Sequence, residues 1–302
     1  MTGRAEPRCS DAARTRGDAL PGTASTVRAW LLLEDPGPWG HQAWRDARLP
    51  DKLGPDLLAA AARARVRPLL IRRPLDRAGS LHGTERRVFA AWSRPGEAAM
   101  VTTTLTDPRG LLALDLTALG SGRLPHWEPT DEPFFGVCTH GRHDACCATR
   151  GRPVAQALAV AEPEATWEVS HIGGDRFAAN LLVLPAGLYF GGLDPDSIGR
   201  VVETFRRGEI DLGHFRGRSG WPMPVQVAED ALRHHLAYAA RRGLRWCGTE
   251  ARGDARLVTF ELEGLRWVVD VARVDAAPAL LTCSALQAQP SVVWRAGAVR
   301  SA

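Results

Sequence analysis

Twice along this chain the apolar pattern runs strand, helix, three strands, helix. In the first pass TVRAWLLLE (Thr26 to Glu34) reads as a buried strand, ended by the turn-rich EDPGPWG. PDLLAAAARARV, from Pro55, carries apolar residues at helical spacing with a proline in its first turn. RPLLIRR, RRVFAAWS and EAAMVTTTL then read as strands and GLLALDLTAL as a helix. In the second pass FFGVCTH is a strand and CCATRGRPVAQALAV a helix, with Gly151 and Pro153 marking Arg152 as an alternative start. TWEVSH is a strand, NLLVLP and LYFGGL pair across Ala186-Gly187, and PDSIGRVVETFRRG is a helix. The shared order without evident sequence similarity argues for a duplicated mixed α/β (α+β) fold. At 302 residues the chain exceeds the usual size of a single core, which leaves room for it.

The expected organisation is a disordered leader over 1–22, a first unit without ligands over 23–121, a second unit carrying the chemistry over 132–213, and a C-terminal region over 214–302. In the last, VQVAEDALRHHLAYAARRG reads as a helix followed by strands LRWCGTE, ARLVTFEL and LRWVVDVARV. The latter two form a hairpin across Glu263-Gly264, and the tail from Gln287 is irregular with SVVWR as an edge strand. Nearly all basic residues are arginine, Lys52 being the exception, and no dense basic run or stacking motif accompanies the net charge of +4. No nucleic-acid partner is therefore expected. The longest apolar windows are far too short to span a bilayer, and the leader lacks the apolar segment of a signal peptide. Six sparse cysteines do not make a secreted disulfide framework, so a reducing, cytoplasmic setting is expected.

The chemistry concentrates in FFGVCTHGRHDACC, Phe134 to Cys147. Cys138 ends a strand, and Cys146 and Cys147 open a helix that Asp144 caps. The polar loop between them carries His140 and His143. Further on, SHIGGDRFAAN places His171 at a strand end and Asp175 after the turn Gly173-Gly174, whose glycines allow backbone to approach a ligand closely. Donors from two strand ends and one helix start could converge on a metal. Taken singly, each cysteine is more often a buried apolar thiol; the cluster favours function. Cys9 reads as incidental, and Cys247 and Cys283 as buried thiols in strand-like contexts.

CTHGRHDACC followed by WEVSHIGGDRFAANLLVLPAGLYFGGLDP resembles the sucrase/ferredoxin-like family, which belongs with the thioredoxin-like [2Fe-2S] ferredoxins. GTAS…WLLLEDPGPWG before it and FRGRSGW…PVQVAE after it extend the resemblance over most of the chain. The resemblance implies two thioredoxin-like units, the second holding a [2Fe-2S] cluster. It implies Cys138, Cys147 and His171 as ligands, with the fourth position falling on Asp175, where the family's patterns have cysteine or histidine. Cys146, His140 and His143 are the alternates for that bond. Gly173, Gly174 and Arg176 would line the cluster, Arg176 neutralising Asp175 or donating to a sulfide. A bis-histidine cluster is formally neutral and a four-cysteine cluster doubly negative. One carboxylate in place of an imidazole gives a single negative charge and a potential below Rieske-like values. Nothing supports sucrase chemistry, because no carboxylate pair stands in a context suited to glycoside hydrolysis.

The leading expectation is an electron carrier, more a redox protein than an enzyme with its own substrate, serving a redox partner protein. Arg216, Arg218 and Trp221 form a loop that could dock an acidic partner. The rivals are a thioredoxin-like thiol-disulfide oxidoreductase using Cys138 with Cys146 or Cys147, and a structural zinc site. The first lacks the Cys-x-x-Cys motif at a helix start; the second suits the donor types.

Overall fold

A computed structural model describes residues 8–74 and 85–302. The first unit comprises β1 (Ala29–Glu34), α2 (Ala43–Asp46), α3 (Leu53–Ala64), β2 (Val66–Arg72), β3 (Arg86–Trp92), β4 (Ala99–Leu105) and α4 (Leu116–Gly120). Ahead of it lies α1 (Cys9–Arg16), and a two-residue β5 (Glu128–Pro129) follows it. The second unit comprises β6 (Phe134–Cys138), α5 (Ala145–Ala161), β7 (Thr166–Val169), β8 (Leu181–Leu184), β9 (Leu188–Phe190) and α6 (Ile198–Arg206). Then come β10 (Phe215–Arg218), α7 (Met223–His235) and the strands β11 (Arg245–Arg252), β12 (Ala255–Leu262), β13 (Leu265–Ala279) and β14 (Gln289–Ser301).

The two units share one topology. In the first, β1 pairs parallel with β2 and antiparallel with β3, which pairs with β4. In the second, β6 pairs parallel with β7 and antiparallel with β8, which pairs with β9. This is the thioredoxin-like order, present twice. The copies join edge to edge through antiparallel β2 and β7, making one ten-stranded sheet ordered β10-β9-β8-β6-β7-β2-β1-β3-β4-β5. That seam is two residue pairs long, Ile71↔Val169 and Arg72↔Glu168. Glu168, buried there, accepts from Arg72 Nε at 2.6 Å and from Thr139 Oγ1 at 2.9 Å.

Alternation along the strands builds the cores. Leu31 and Leu33 of β1 pack with Leu57 and Ala61 of α3, while Trp30 and Leu32 face the opposite side. In β6, Phe135 and Val137 meet Val154 and Leu158 of α5, while Phe134 and Cys138 join the layer that holds Trp30 and Leu32. Period-two placement thus makes one apolar face continuous across both units. The antiparallel sheet β11-β12-β13-β14 stands apart and packs Val258, Phe260, Val269 and Val271 on Val225, Ala228 and Leu232 of α7.

Several expectations change. Residues 1–7 of the leader lie outside the described residues, but 9–16 form a helix with Cys9 and Ala13 buried. The tail, expected to be irregular from Gln287, forms a thirteen-residue strand, Gln289–Ser301, because β13 offers it a long partner. α5 begins at Ala145 and runs through Pro153, because Asp144 caps it through Cys146 N at 2.8 Å. GLLALDLTAL splits into a 3-10 turn, Pro108–Ala113, and the short α4 capped by Asp115. Arg216, Arg218 and Trp221 are not a docking surface, being 0%, 6% and 5% exposed. The two arginines sit two apart on β10, so both point inward. Arg218 pairs with Glu229 of α7 at 2.7 Å. Arg216 donates to Thr23 Oγ1 and O at 3.0 and 2.5 Å, to Gly173 O at 3.0 Å and to Asn180 Oδ1 at 2.8 Å. Burial pulls its pKa down to about 10, which leaves it charged at neutral pH.

Two consequences can be measured by denaturant unfolding. A Cβ at Gly151 would lie 2.1 Å from the Cys138 carbonyl oxygen, so Gly151→Ala must push α5 away from β6 and is expected to cost about 1–3 kcal/mol. Arg216→Met leaves buried acceptors on Thr23, Gly173 and Asn180 without a donor, and a loss of at least about 3 kcal/mol is expected. Wild-type stability in either variant contradicts the packing described.

Candidate metal centre

The parallel strands β6 and β7 end side by side, and α5 begins above them. At such strand ends an α/β sheet leaves a crevice for ligands. Cys138 closes β6, Cys147 lies in the first turn of α5, and His171 follows β7 by two residues. The Gly173-Gly174 turn, with φ of +95° and +81°, then brings Asp175 back toward them. A Cβ at Gly174 would lie 2.2 Å from Arg216 Nη2, so only glycine lets this turn rest on the buried guanidinium.

The donors form two overlapping triads, each with ligand atoms within 4.8 Å of one another: Cys138, Cys147 and His171, then His143, His171 and Asp175. Asp175 Oδ1 accepts from Cys147 Sγ at 3.2 Å and lies 3.0 Å from His171 Nδ1. That ring nitrogen is buried yet makes no hydrogen bond of good geometry. An orphaned imidazole nitrogen among thiols and a carboxylate fits a metal ligand. The His143 ring lies 3.8 Å from that of His171 between centroids, and its Nε2 is 3.9 Å from Asp175 Oδ2.

The electrostatics suit cation binding. The hydrogen bond from Cys147 brings Cys138 down to about 7, and the same bond, with burial, pushes Cys147 up. Burial opposes charge on both His171 and Asp175. Their mutual attraction, with Cys138 beside His171 and Cys147 and His143 beside Asp175, outweighs it. His171 is therefore raised and Asp175 lowered.

The alternates separate cleanly. His140 is 4% exposed; its Nε2 donates to Gly40 O at 2.9 Å and its Nδ1 accepts from His171 N at 3.3 Å. Both nitrogens are engaged, and burial lowers its pKa to about 4, so His140 is a neutral brace. Cys146 turns away to a different group of donors, Cys9, Asp144 and Cys283. Arg176 lies 3.3 Å from Asp18 rather than pairing with Asp175, its guanidinium 4.4 Å from the Phe177 ring. Gly173 and Gly174 do line the turn.

Sequence reasoning missed the wall supplied by the first unit. The loop after β1 crosses the seam, so that Gly40 meets His140, the His41 ring lies 5.6 Å from His143, and Trp39 stands edge-on to His140. Arg72 fixes that loop by lying 4.2 Å over Trp39. Cys9, read as incidental, and Cys283, read as a buried thiol with a distant ligand role left open, also prove to be clustered donors; their signal was only the number of cysteines left over. Cys247 and Cys283 are exposed, contrary to expectation, because β11 is an outer strand and Cys283 sits in the loop between β13 and β14.

Known proteins give the following matches. "Altered inheritance of mitochondria protein 32" of Candida glabrata is 27% identical over 134 residues, and the match spans 39% of this chain and 41% of that relative. Two cysteine variants of the thioredoxin-like [2Fe-2S] ferredoxin from Aquifex aeolicus align at 19% identity, covering 28% of this chain and 99% of theirs, with TM-scores of 0.26 and 0.25. The sucrase/ferredoxin-like model matches residues 20–217, more than half of the chain, and takes in the donors at Cys138, Cys147, His171 and Asp175 together with the loop that walls them. The chain belongs to the sucrase/ferredoxin-like family.

Proposed function

We propose that this protein is a one-electron carrier whose second unit holds a [2Fe-2S] cluster. The observation that carries the reading is the pair of triads joined at His171. Two thiols, an imidazole nitrogen without a good hydrogen bond and a buried carboxylate meet there, within the segment that the sucrase/ferredoxin-like model matches, and this donor set suits iron–sulfur ligation. Cys138, Cys147, His171 and Asp175 would hold the cluster. Asp175 is favoured over His143 because it is 4% exposed and held by the glycine turn, whereas the His143 side chain is 32% exposed. When bound, such a cluster supplies a reversible one-electron couple.

The chain's own residues set its surroundings. Cys138 and Cys147 must both be thiolates, and Asp175 adds a carboxylate. The buried charge of Arg216 lies behind the glycine turn, where it favours that anionic set. His41, His143 and His171 form the face turned toward solvent, and we place the docking of a redox partner protein there. All six cysteines are unpaired, which supports a reducing, cytoplasmic setting. No helix among the described residues is long and apolar enough to cross a membrane.

Protein purified without oxygen should be brown, with about two irons per chain, and bleach with dithionite. Cys138→Ser, Cys147→Ser and His171→Ala should lose most of that iron, Asp175→Ala should lose it more readily than His143→Ala, and Gly173 and Gly174 should tolerate no side chain. The expected potential lies between about −400 mV, typical of plant-type ferredoxins, and about −150 mV, where Rieske centres begin. A colourless protein carrying one zinc on these residues, or cluster loss in His143→Ala but not Asp175→Ala, contradicts the assignment. A metal-free protein that resists reconstitution and forms a Cys138–Cys147 disulfide would favour a thiol oxidoreductase instead.

A further inference from the structure

Away from that centre, three sulfurs meet that are far apart in sequence. Cys9 opens α1, Cys146 lies in the first turn of α5, and Cys283 sits in the loop between β13 and β14. Their Sγ atoms are 3.6 Å apart for Cys9–Cys146, 3.4 Å for Cys9–Cys283 and 3.2 Å for Cys146–Cys283. Asp144 closes the group, its oxygens 3.7 and 3.8 Å from Cys9 Sγ, and all four ligand atoms lie within 4.8 Å of one another. A tetrahedral ion with metal–sulfur bonds of about 2.3 Å holds its sulfurs about 3.8 Å apart, close to the triangle seen.

The group is supported as metal sites are. Asp144 accepts from Cys146 N at 2.8 Å and from Cys283 N at 2.7 Å, which fixes the carboxylate relative to two of the thiols. Ser10 Oγ lies 3.2 Å from Cys146 Sγ, positioned to donate to a thiolate, and Arg150 Nε donates to Ser10 at 2.9 Å. Cys9 and Cys146 are buried, while Cys283 is exposed, so an ion has a way in from solvent.

Apart from surface polar pairs such as Arg150 with Asp11 and Arg8 with Thr149, little buried contact holds these segments together. The buried residues of α1 are only Cys9, Ser10 and Ala13, and the local apolar cluster is only Cys9, Cys146 and Ala178. The loop around Cys283 buries no large side chain here; Leu286, close by, is 97% exposed. Apolar burial on this scale is a weak fastening for a short helix and a long loop. We propose that Cys9, Cys146 and Cys283, completed by Asp144, form a second metal site for a single thiophilic divalent cation, zinc, that ties α1 and the loop between β13 and β14 to the start of α5. Three soft thiolates with one oxygen in a tetrahedral set suit zinc, and binding releases the three thiol protons to solvent.

The site is independent of the iron reading, and the test keeps them apart. Zinc and iron are measured on protein purified without oxygen, as wild type and as Cys9→Ser, Cys283→Ser and Cys247→Ser. Wild type and Cys247→Ser, whose thiol lies outside the group, should carry about one zinc per chain. Cys9→Ser and Cys283→Ser should lose it at least about tenfold, with iron content unchanged. Cobalt added to thiol-reduced, metal-depleted wild type should give sulfur-to-cobalt charge transfer, and Cys283→Ser, whose exposed loop position spares the fold, should bind one equivalent less and lose that part of the signal, the remainder depending on Cys147. Zinc retained in both variants, no stoichiometric cobalt binding by wild type, or a disulfide among these three cysteines in the isolated protein overturns the proposal. Zinc that follows Cys9 and Cys283 in a protein without iron would uphold this site and remove the ferredoxin reading.

Discussion

A single buried guanidinium organises this molecule. Arg216 is fully enclosed and gives its hydrogen bonds to neutral oxygens on three segments: Thr23 ahead of β1, Gly173 in the site turn, and Asn180 ahead of β8. Asn180 in turn donates to Gly174 O, and its own carbonyl accepts from Cys138 N. The stretch before β1, the turn that presents Asp175 and the strand that ends in Cys138 are thus fastened to one atom group. A desolvated cation without a carboxylate partner is costly in isolation. Asp175 and Cys138 are the groups at the site whose negative charge favours its protonated form against burial. The cation and the anionic donor set therefore stabilise one another, and the proposed centre, with its net negative charge, would complete that balance.

The duplication explains how a sheet of this width holds one centre. Because β2 and β7 are antiparallel and overlap only near their C-terminal ends, the loops that follow the first strand of each copy come together at the seam. In the second copy that loop carries candidate ligands, from Cys138 to Cys147. The first spends the equivalent loop on a wall, with Trp39, Gly40 and His41 against the histidines. The unit without ligands is for that reason part of the site.

The fold was legible because it follows from period-two strands and a repeated order, both local properties of the sequence. Cys138, Cys147, His171 and Asp175 were legible because spacing and two glycines put them at adjacent strand and helix ends. The inward turn of Arg216 and Arg218 was not: a run of arginine, glycine and serine reads as a solvated loop until β9 pairs with it and fixes which face each side chain takes. His140 could not be told from a ligand, since only Gly40 O and His171 N, distant in sequence, occupy its two nitrogens. Cys9 and Cys283 lie 274 residues apart, and no pattern in a single sequence carries a contact of that range.

Cys146 and Cys147 show why one helix start matters so much. Successive residues on a helix project about 100° apart, so these two thiols cannot serve the same site. One faces Cys138 and His171, the other Cys9 and Cys283. Asp144 locks the turn between them by capping Cys146 N while it holds Cys283 N. Gly151, pressed on the Cys138 carbonyl, fixes the same helix against β6 one turn later. Donor positions set by a capped, packed helix and two paired strands change little when charge between them changes, and the proposed one-electron role depends on that rigidity.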